Sequence, residues 1–177
     1  MWLPTTSEPT AINTTLTPWV ANALRCTDFV AGRTTSGYTK LGVKIDDVGA
    51  GFSDGACSFG IYASGGGTLL VSGTATCPGN TSSVVTVTGI SSFGFTAGTE
   101  YRLCSCGVSA FRFVSVILGS NSGAAALDPY AAVTSHNGNG ANACTGSAVL
   151  PATTGVLTTF GDTTSQLDGP LVYVTKE

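Results

Sequence analysis

The sequence predicts an all-β fold, a single β-sandwich of jelly-roll type with about eight strands. Three features predict it. Apolar and polar residues alternate with the two-residue period of a strand, glycine-containing turns separate these runs at regular intervals, and Gly, Ser, Thr, Ala and Val dominate the composition. With 177 residues, the chain is long enough for one domain with a full core.

The clearest pattern is a hairpin within residues 55–77. Cys57, Phe59 and Ile61 occupy alternate positions, which predicts a strand with one face on a core. The three glycines at 65–67 tolerate positive φ and let the chain return as a second strand. This turn would bring Cys57 opposite Cys77, and a bridge closing about twenty residues would stabilise the fold by roughly 3 kcal/mol.

Further strands are predicted on both sides of this hairpin. They are residues 38–46, 83–88, 101–106, 111–118, 156–160 and 170–175. Residues 124–130 are expected to make one helical turn that Pro129 ends, and residues 135–144 to form a loop because they are rich in Gly and Asn.

Residues 1–22 are predicted to form an extended N-terminal arm, and residues 23–177 the sandwich domain. Three prolines in the arm forbid a regular helix or a central strand. Its apolar residues have no period, which suits an arm lying on another subunit; a frayed terminus is the alternative. The candidate contact residues are Trp2, Leu3, Ile12, Leu16 and Trp19.

Charge is scarce in this chain. Charged residues make up 10%, against about 25% in an average soluble protein, and the net charge is −3. A surface with so little charge favours assembly with neighbours. The seven Lys and Arg residues form no cluster that could bind nucleic acid, and no apolar run approaches the roughly 18 residues of a membrane-spanning helix.

Six cysteines suit disulfide bridges formed in an oxidising setting. Only Cys57 with Cys77 has a local geometric argument. A zinc site using Cys104 and Cys106 and free buried thiols are the alternatives. The candidates for bridges are Cys26, Cys57, Cys77, Cys104, Cys106 and Cys144.

No catalytic, cofactor or metal site is predicted. His136 is the one histidine and no G-x-S-x-G motif accompanies it. Hard oxygen ligands for calcium could come from Asp46, Asp47 and Asp54, or from residues 162 and 168. Sugar stacking is a further alternative, although core or interface packing is preferred for these aromatics. The candidates for stacking are Trp2, Trp19, Tyr38, Tyr62 and Tyr130.

The start of the chain, MWLPTTSEPTAINTT, has no basic region followed by an apolar region, so no signal peptide is predicted there. Synthesis in a cytosol followed by release into oxidising surroundings is consistent with a virion freed by lysis. A leader replaced by Met1 is the alternative.

Three segments together resemble a known group of proteins. They are ACSFGIYASGGGTLLVSGTATC, FGFTAGTEYRLCSC and the closing PLVYV. In these segments the chain resembles the small β-sandwich structural proteins of tailed-phage virions, which often have a GIY strand, a glycine-rich hairpin and a TAGTYYL strand where this chain has TAGTEYRL. The resemblance covers residues 38–118 and the last strand.

The resemblance implies a capsid decoration (cement) protein, or a tail or fibre component, without catalysis or cofactor. The expected partners are the major capsid protein or other virion proteins and further copies of the chain, as a homotrimer. The expected location is the virion surface, after assembly in the host cytoplasm. A carbohydrate-binding or adhesin module that binds a host-surface glycan is the alternative.

Overall fold

The computed structural model of the chain describes residues 21–46, 53–81, 83–108, 112–113, 115–118, 131–140, 143–159, 167–170 and 172–175. These residues form twelve strands and no α-helix, and none of their helical segments has the length and hydropathy needed to cross a membrane. The strands are β1 (Arg25–Ala31), β2 (Tyr38–Asp46), β3 (Gly55–Ala63), β4 (Leu69–Cys77), β5 (Ser83–Phe93), β6 (Glu100–Gly107), β7 (Arg112–Phe113), β8 (Ser115–Leu118), β9 (Ala131–Gly140), β10 (Leu157–Thr159), β11 (Leu167–Pro170) and β12 (Val172–Thr175).

The larger sheet has six antiparallel strands in the order β10-β9-β1-β6-β3-β4. Its β3 and β4 form the hairpin predicted from the sequence. They are joined by a short 3-10 turn in which Gly65 has a φ of +68°, a conformation that favours glycine. The hairpin therefore forms where the glycine run is.

The smaller sheet has the order β12-β2-β5, and β7 also pairs with β2, while β8 and β11 form a separate two-stranded sheet. The main core lies between the two larger sheets. Phe59 and Ile61 of β3 and Leu103 of β6 meet Leu41 of β2 and Val87 of β5 there, all buried. The alternation of apolar residues is thus explained by one face of each sheet packing on the other.

The six-stranded sheet is covered on its second face as well. Residues 143–156, here called the covering segment, lie over β1, β6 and β3 and complete a second core cluster with Tyr62 and Cys104. Gly60 makes room for this contact, because an added Cβ would lie 2.6 Å from Leu150 Cδ1. Strands β3 and β6 are consequently buried on both faces.

The all-β class and the two packed sheets predicted from the sequence are confirmed. The jelly-roll topology stays a prediction. The described residues hold twelve strands where about eight were expected. The prediction missed β1, β9 and β11, and the strand predicted over residues 111–118 is divided into β7 and β8.

The prediction of a loop over residues 135–144 is wrong for most of its length. Residues 131–140 form β9, which lies between β1 and β10. Pairing on both sides decides the conformation of this Gly- and Asn-rich segment against its composition. Residues 1–20, which hold nearly the whole predicted arm, and the predicted helical turn at 124–130 lie outside the described residues.

Candidate functional site

A buried ion pair lies on the covered face of the six-stranded sheet. Asp28 of β1 and Arg102 of β6 stand directly opposite each other in the strand register. Arg102 Nε donates to Asp28 Oδ1 at 2.6 Å and Nη2 donates to Oδ2 at 2.8 Å, and both residues are about 95% buried or more. This is the bidentate geometry that makes an arginine and carboxylate pair strong.

The same guanidinium holds the covering segment. Arg102 Nη1 donates to Thr154 Oγ1 at 2.7 Å and to the Gly155 carbonyl oxygen at 3.4 Å, and Thr154 is fully buried. Every nitrogen of the guanidinium therefore donates to a protein oxygen. The charges are compensated within the scaffold and are not presented to solvent, which is the arrangement of a structural pair.

All six cysteines are bonded in pairs, and none is free. Cys57 is bonded to Cys77, the pair for which the hairpin supplied a geometric argument. Cys26 of β1 is bonded to Cys104 of β6, directly across the ladder, and Cys106 of β6 is bonded to Cys144 of the covering segment. The alternatives of a zinc site and of free thiols are therefore wrong in this structure.

Tyr62 is the aromatic residue on which the covering segment rests. Its side chain is fully buried, and its hydroxyl donates to the Pro151 carbonyl oxygen at 2.9 Å. Burial raises the pKa of the Tyr62 phenol well above its ordinary value of 10.0, because the charged phenolate would lose its hydration. The folded chain therefore keeps this proton into strongly alkaline solution.

This pKa shift predicts a loss of stability at alkaline pH. Above pH of about 10 the unfolded chain releases the Tyr62 proton and the folded chain retains it, so the free energy of unfolding should fall with pH by up to about 1.4 kcal/mol per unit. The Tyr62→Phe variant should lose about 1 kcal/mol at neutral pH, through the missing hydrogen bond, and should show a weaker alkaline decline. Urea unfolding across this pH range measures both. An equally steep decline in the Tyr62→Phe variant would contradict the assignment.

The aromatic residues considered for sugar stacking do not form an exposed platform in the described part of the chain. Tyr38 is 5% exposed and belongs to the main core, and Tyr62 is covered as described. Trp2, Trp19 and Tyr130 lie outside the described residues. The preferred interpretation of Tyr62 as a packed residue agrees with its position.

The described titratable residues considered for catalysis or metal binding lie on different elements of the fold. Asp54 is exposed, and its Oδ1 accepts a hydrogen bond from the Gly79 amide at 3.0 Å, which closes the end of the β3 and β4 hairpin. His136 lies in β9. Asp46 ends β2, Asp168 lies in β11, and Asp47 and Asp162 are outside the described residues. In the described ranges, no group of three or more His, Cys, Asp or Glu residues could hold a metal ion.

Two strands that end their sheets, β4 and β5, carry no charged residue. The chain has no charged residue between Asp54 and Glu100, a stretch that includes all of β3, β4 and β5. Strand β4 ends the order of the larger sheet, and β5 ends that of the smaller one. Their exposed positions carry Ser, Thr and Gly together with Leu70 and Val84, which are 44% and 50% exposed. Among the described residues, the edge strand β4 is the surface most suited to contact with another protein, because beside β5 the lysines Lys40 and Lys44 of β2 lie opposite Thr88 and Val84.

Comparison with known proteins gives no assignment: no family model, no curated protein and no solved structure matches the chain. The class that the structure defines is an all-β, two-sheet fold with three disulfide bonds.

Proposed function

We propose that this chain is a non-enzymatic structural protein of a tailed-phage virion, in which it decorates the capsid and binds neighbouring capsid subunits. The observation that carries the proposal is that β4 and β5, which end the two larger sheets, contain no charged residue. Natural proteins normally protect such edges with charges or proline. An edge without this protection is suited to being covered by other subunits of an assembly.

The interior supports a role as a rigid scaffold. Three disulfide bonds join β1 to β6, β3 to β4, and β6 to the covering segment. The buried charges of Asp28 and Arg102 are used in holding these layers together. Such cross-links suit a protein that must stay folded outside the cell.

The resemblance of residues 38–118 to the small β-sandwich structural proteins of tailed-phage virions supports the proposal that the assembly is a virion. A tail or fibre component remains the alternative within that setting. The carbohydrate-binding alternative is weakened, because Tyr38 and Tyr62 are buried. The homotrimer expected from the sequence stays a prediction.

Mass spectrometry of purified virions tests the proposal. We expect the chain at a copy number comparable to that of the major capsid protein. A few copies per particle would favour the tail or fibre alternative, and absence from virions would overturn the proposal. Saturable binding on a glycan array by a chain absent from particles would favour the carbohydrate-binding alternative.

The N-terminal arm is tested in the same particles. A chain without residues 1–20 keeps Asn22, whose N–H donates to the Gly107 carbonyl oxygen and whose carbonyl oxygen accepts from the Cys144 N–H. We expect this deletion to abolish incorporation if the arm clamps a neighbour. A variant with Thr5→Ser and Thr6→Ser is the matched control and should be incorporated normally. Normal occupancy of the deleted chain would remove the clamp from the proposal.

A further inference from the structure

Within the described part of the chain, only one residue of β4 has a backbone partner on the outer edge of the strand. Strand β4 pairs with β3 on one side, and its first residue donates from Leu69 N to the Ala152 carbonyl oxygen of the covering segment at 2.9 Å. Beyond Leu69, no strand among the described residues pairs with the outer edge of β4. With respect to the residues that the structure describes, residues 70–77 therefore present a backbone edge without a paired strand.

The phase of the ladder identifies which residues face that edge. The Cα atoms of Cys26 and Cys104 are 4.1 Å apart, the short spacing of a pair that exchanges no backbone hydrogen bonds. The backbone groups of Cys104 therefore point toward β3. Cys104 is opposite Gly60 of β3, so the backbone groups of Gly60 bond to β6 and not to its β4 partner Ser72. The backbone groups of Ser72, and of Thr74 and Thr76 at the following alternate positions, therefore point away from β3, toward the outer edge.

A side-chain contact supports this phase. Ser58 of β3 and Thr74 of β4 are opposite each other, and their hydroxyl oxygens are 2.8 Å apart. Side chains approach more closely in pairs that exchange no backbone hydrogen bonds. The N–H and C=O groups of Thr74 are accordingly available at the edge.

The chemistry of this edge fits a second copy of itself. Ser72, Thr74 and Thr76 are exposed and uncharged, so two identical edges can approach without repulsion between like charges. In an antiparallel twofold arrangement centred on Thr74, this residue lies opposite its own copy and Ser72 lies opposite position 76 of the other chain. All three pairs then exchange backbone hydrogen bonds, with hydroxyl groups adjacent to each other.

The ends of the edge set the length of this pairing. Position 70 would lie opposite position 78 of the other chain. The register between β3 and β4 shifts at Leu70, so the regular strand available for pairing begins at Val71. Pro78 has no backbone N–H, which ends the ladder at this point.

We propose that two copies of this chain associate through their β4 edges, in antiparallel register about a twofold axis at Thr74. The contact joins two six-stranded sheets into one continuous sheet. It does not depend on the virion role. A threefold contact, if one forms, would use another surface, because a twofold edge joins only two chains.

The test uses the full chain and measures its mass in solution by sedimentation velocity. We expect the Thr74→Lys variant to have half the mass of the unaltered assembly, because two lysines would meet at the axis, and the dissociation constant of the contact to rise at least about tenfold. Ser72→Lys should act in the same direction. Ser147→Lys, an exposed change in the covering segment, is the matched control and should leave the mass unchanged.

A charge-reversal mixture tests the register. Thr74→Asp alone should also halve the mass, whereas mixing it with Thr74→Lys should restore the full mass, since the two positions are opposite each other. Circular dichroism verifies that each variant is folded. A monomeric unaltered chain, an unchanged mass in folded Thr74→Lys and Ser72→Lys variants, or no restoration on mixing would overturn the proposal.

Discussion

Replacing Arg102 by leucine is expected to lower the free energy of unfolding by about 3–5 kcal/mol. The change leaves the Asp28 carboxylate, which is 3% exposed, without its cationic partner. It also removes the hydrogen bond to Thr154 that fixes the covering segment. Urea denaturation at neutral pH measures the loss.

Two further variants make this prediction specific to a buried ion pair. In the double variant Asp28→Leu/Arg102→Leu no charge is left unpaired, so the loss should be smaller than for Arg102→Leu alone. Arg33→Leu changes an exposed arginine, whose polar contacts are worth at most about 1 kcal/mol, so its loss of stability should be well below that of Arg102→Leu. A double variant that loses the sum of the single changes would contradict this account of the pair.

Removing the Cys106–Cys144 bond is expected to lower stability by about 4 kcal/mol in the chain-entropy model, because the bond links residues 38 apart. It should also loosen the covering segment over Tyr62. The pKa of the Tyr62 phenol would then fall toward its ordinary value, since water reaches the ring. Tyrosinate absorbance during alkaline titration of the Cys106→Ala/Cys144→Ala variant measures this change, with Tyr62→Phe identifying the signal.

The Cys57–Cys77 bond provides the matched comparison. It links residues 20 apart, so its removal should cost about 3 kcal/mol. However, Cys57 belongs to the main core on the opposite face of β3 from Tyr62. The Cys57→Ala/Cys77→Ala variant should therefore keep the raised pKa of Tyr62 while it remains folded. An equal fall of this pKa in both variants would show that the covering segment is not what shields the phenol.

Local sequence signals were sufficient for the hairpin and for the inward face of β3. Residues 57, 59 and 61 alternate in the way that a half-buried strand requires, and the glycine run supplies the turn. The same signals were insufficient for β9, whose Gly and Asn residues read as a loop. Its strand conformation depends on pairing with β1 and β10, which are distant in the chain.

The position of the ion pair can be predicted from the sequence only when the pairing of Cys26 with Cys104 is known. Cys26 and Asp28 are two residues apart in β1, and Arg102 and Cys104 are two residues apart in β6. Once Cys26 is placed opposite Cys104 in an antiparallel pair, Asp28 must be opposite Arg102 on the same face. With fifteen ways to connect six cysteines, that single pairing could not be chosen from the sequence.

The sequence by itself determined the β class, the central hairpin and the low charge of the chain, since these follow from residue type and short spacing. Only the tertiary structure decided that the second face of the larger sheet is covered. Leu150, Thr154 and Cys144 reach Tyr62, Arg102 and Cys106 across distances in the chain over which periodicity carries no information. It likewise decided which backbone groups of β4 face outward, because that phase depends on how the strands align in the sheet.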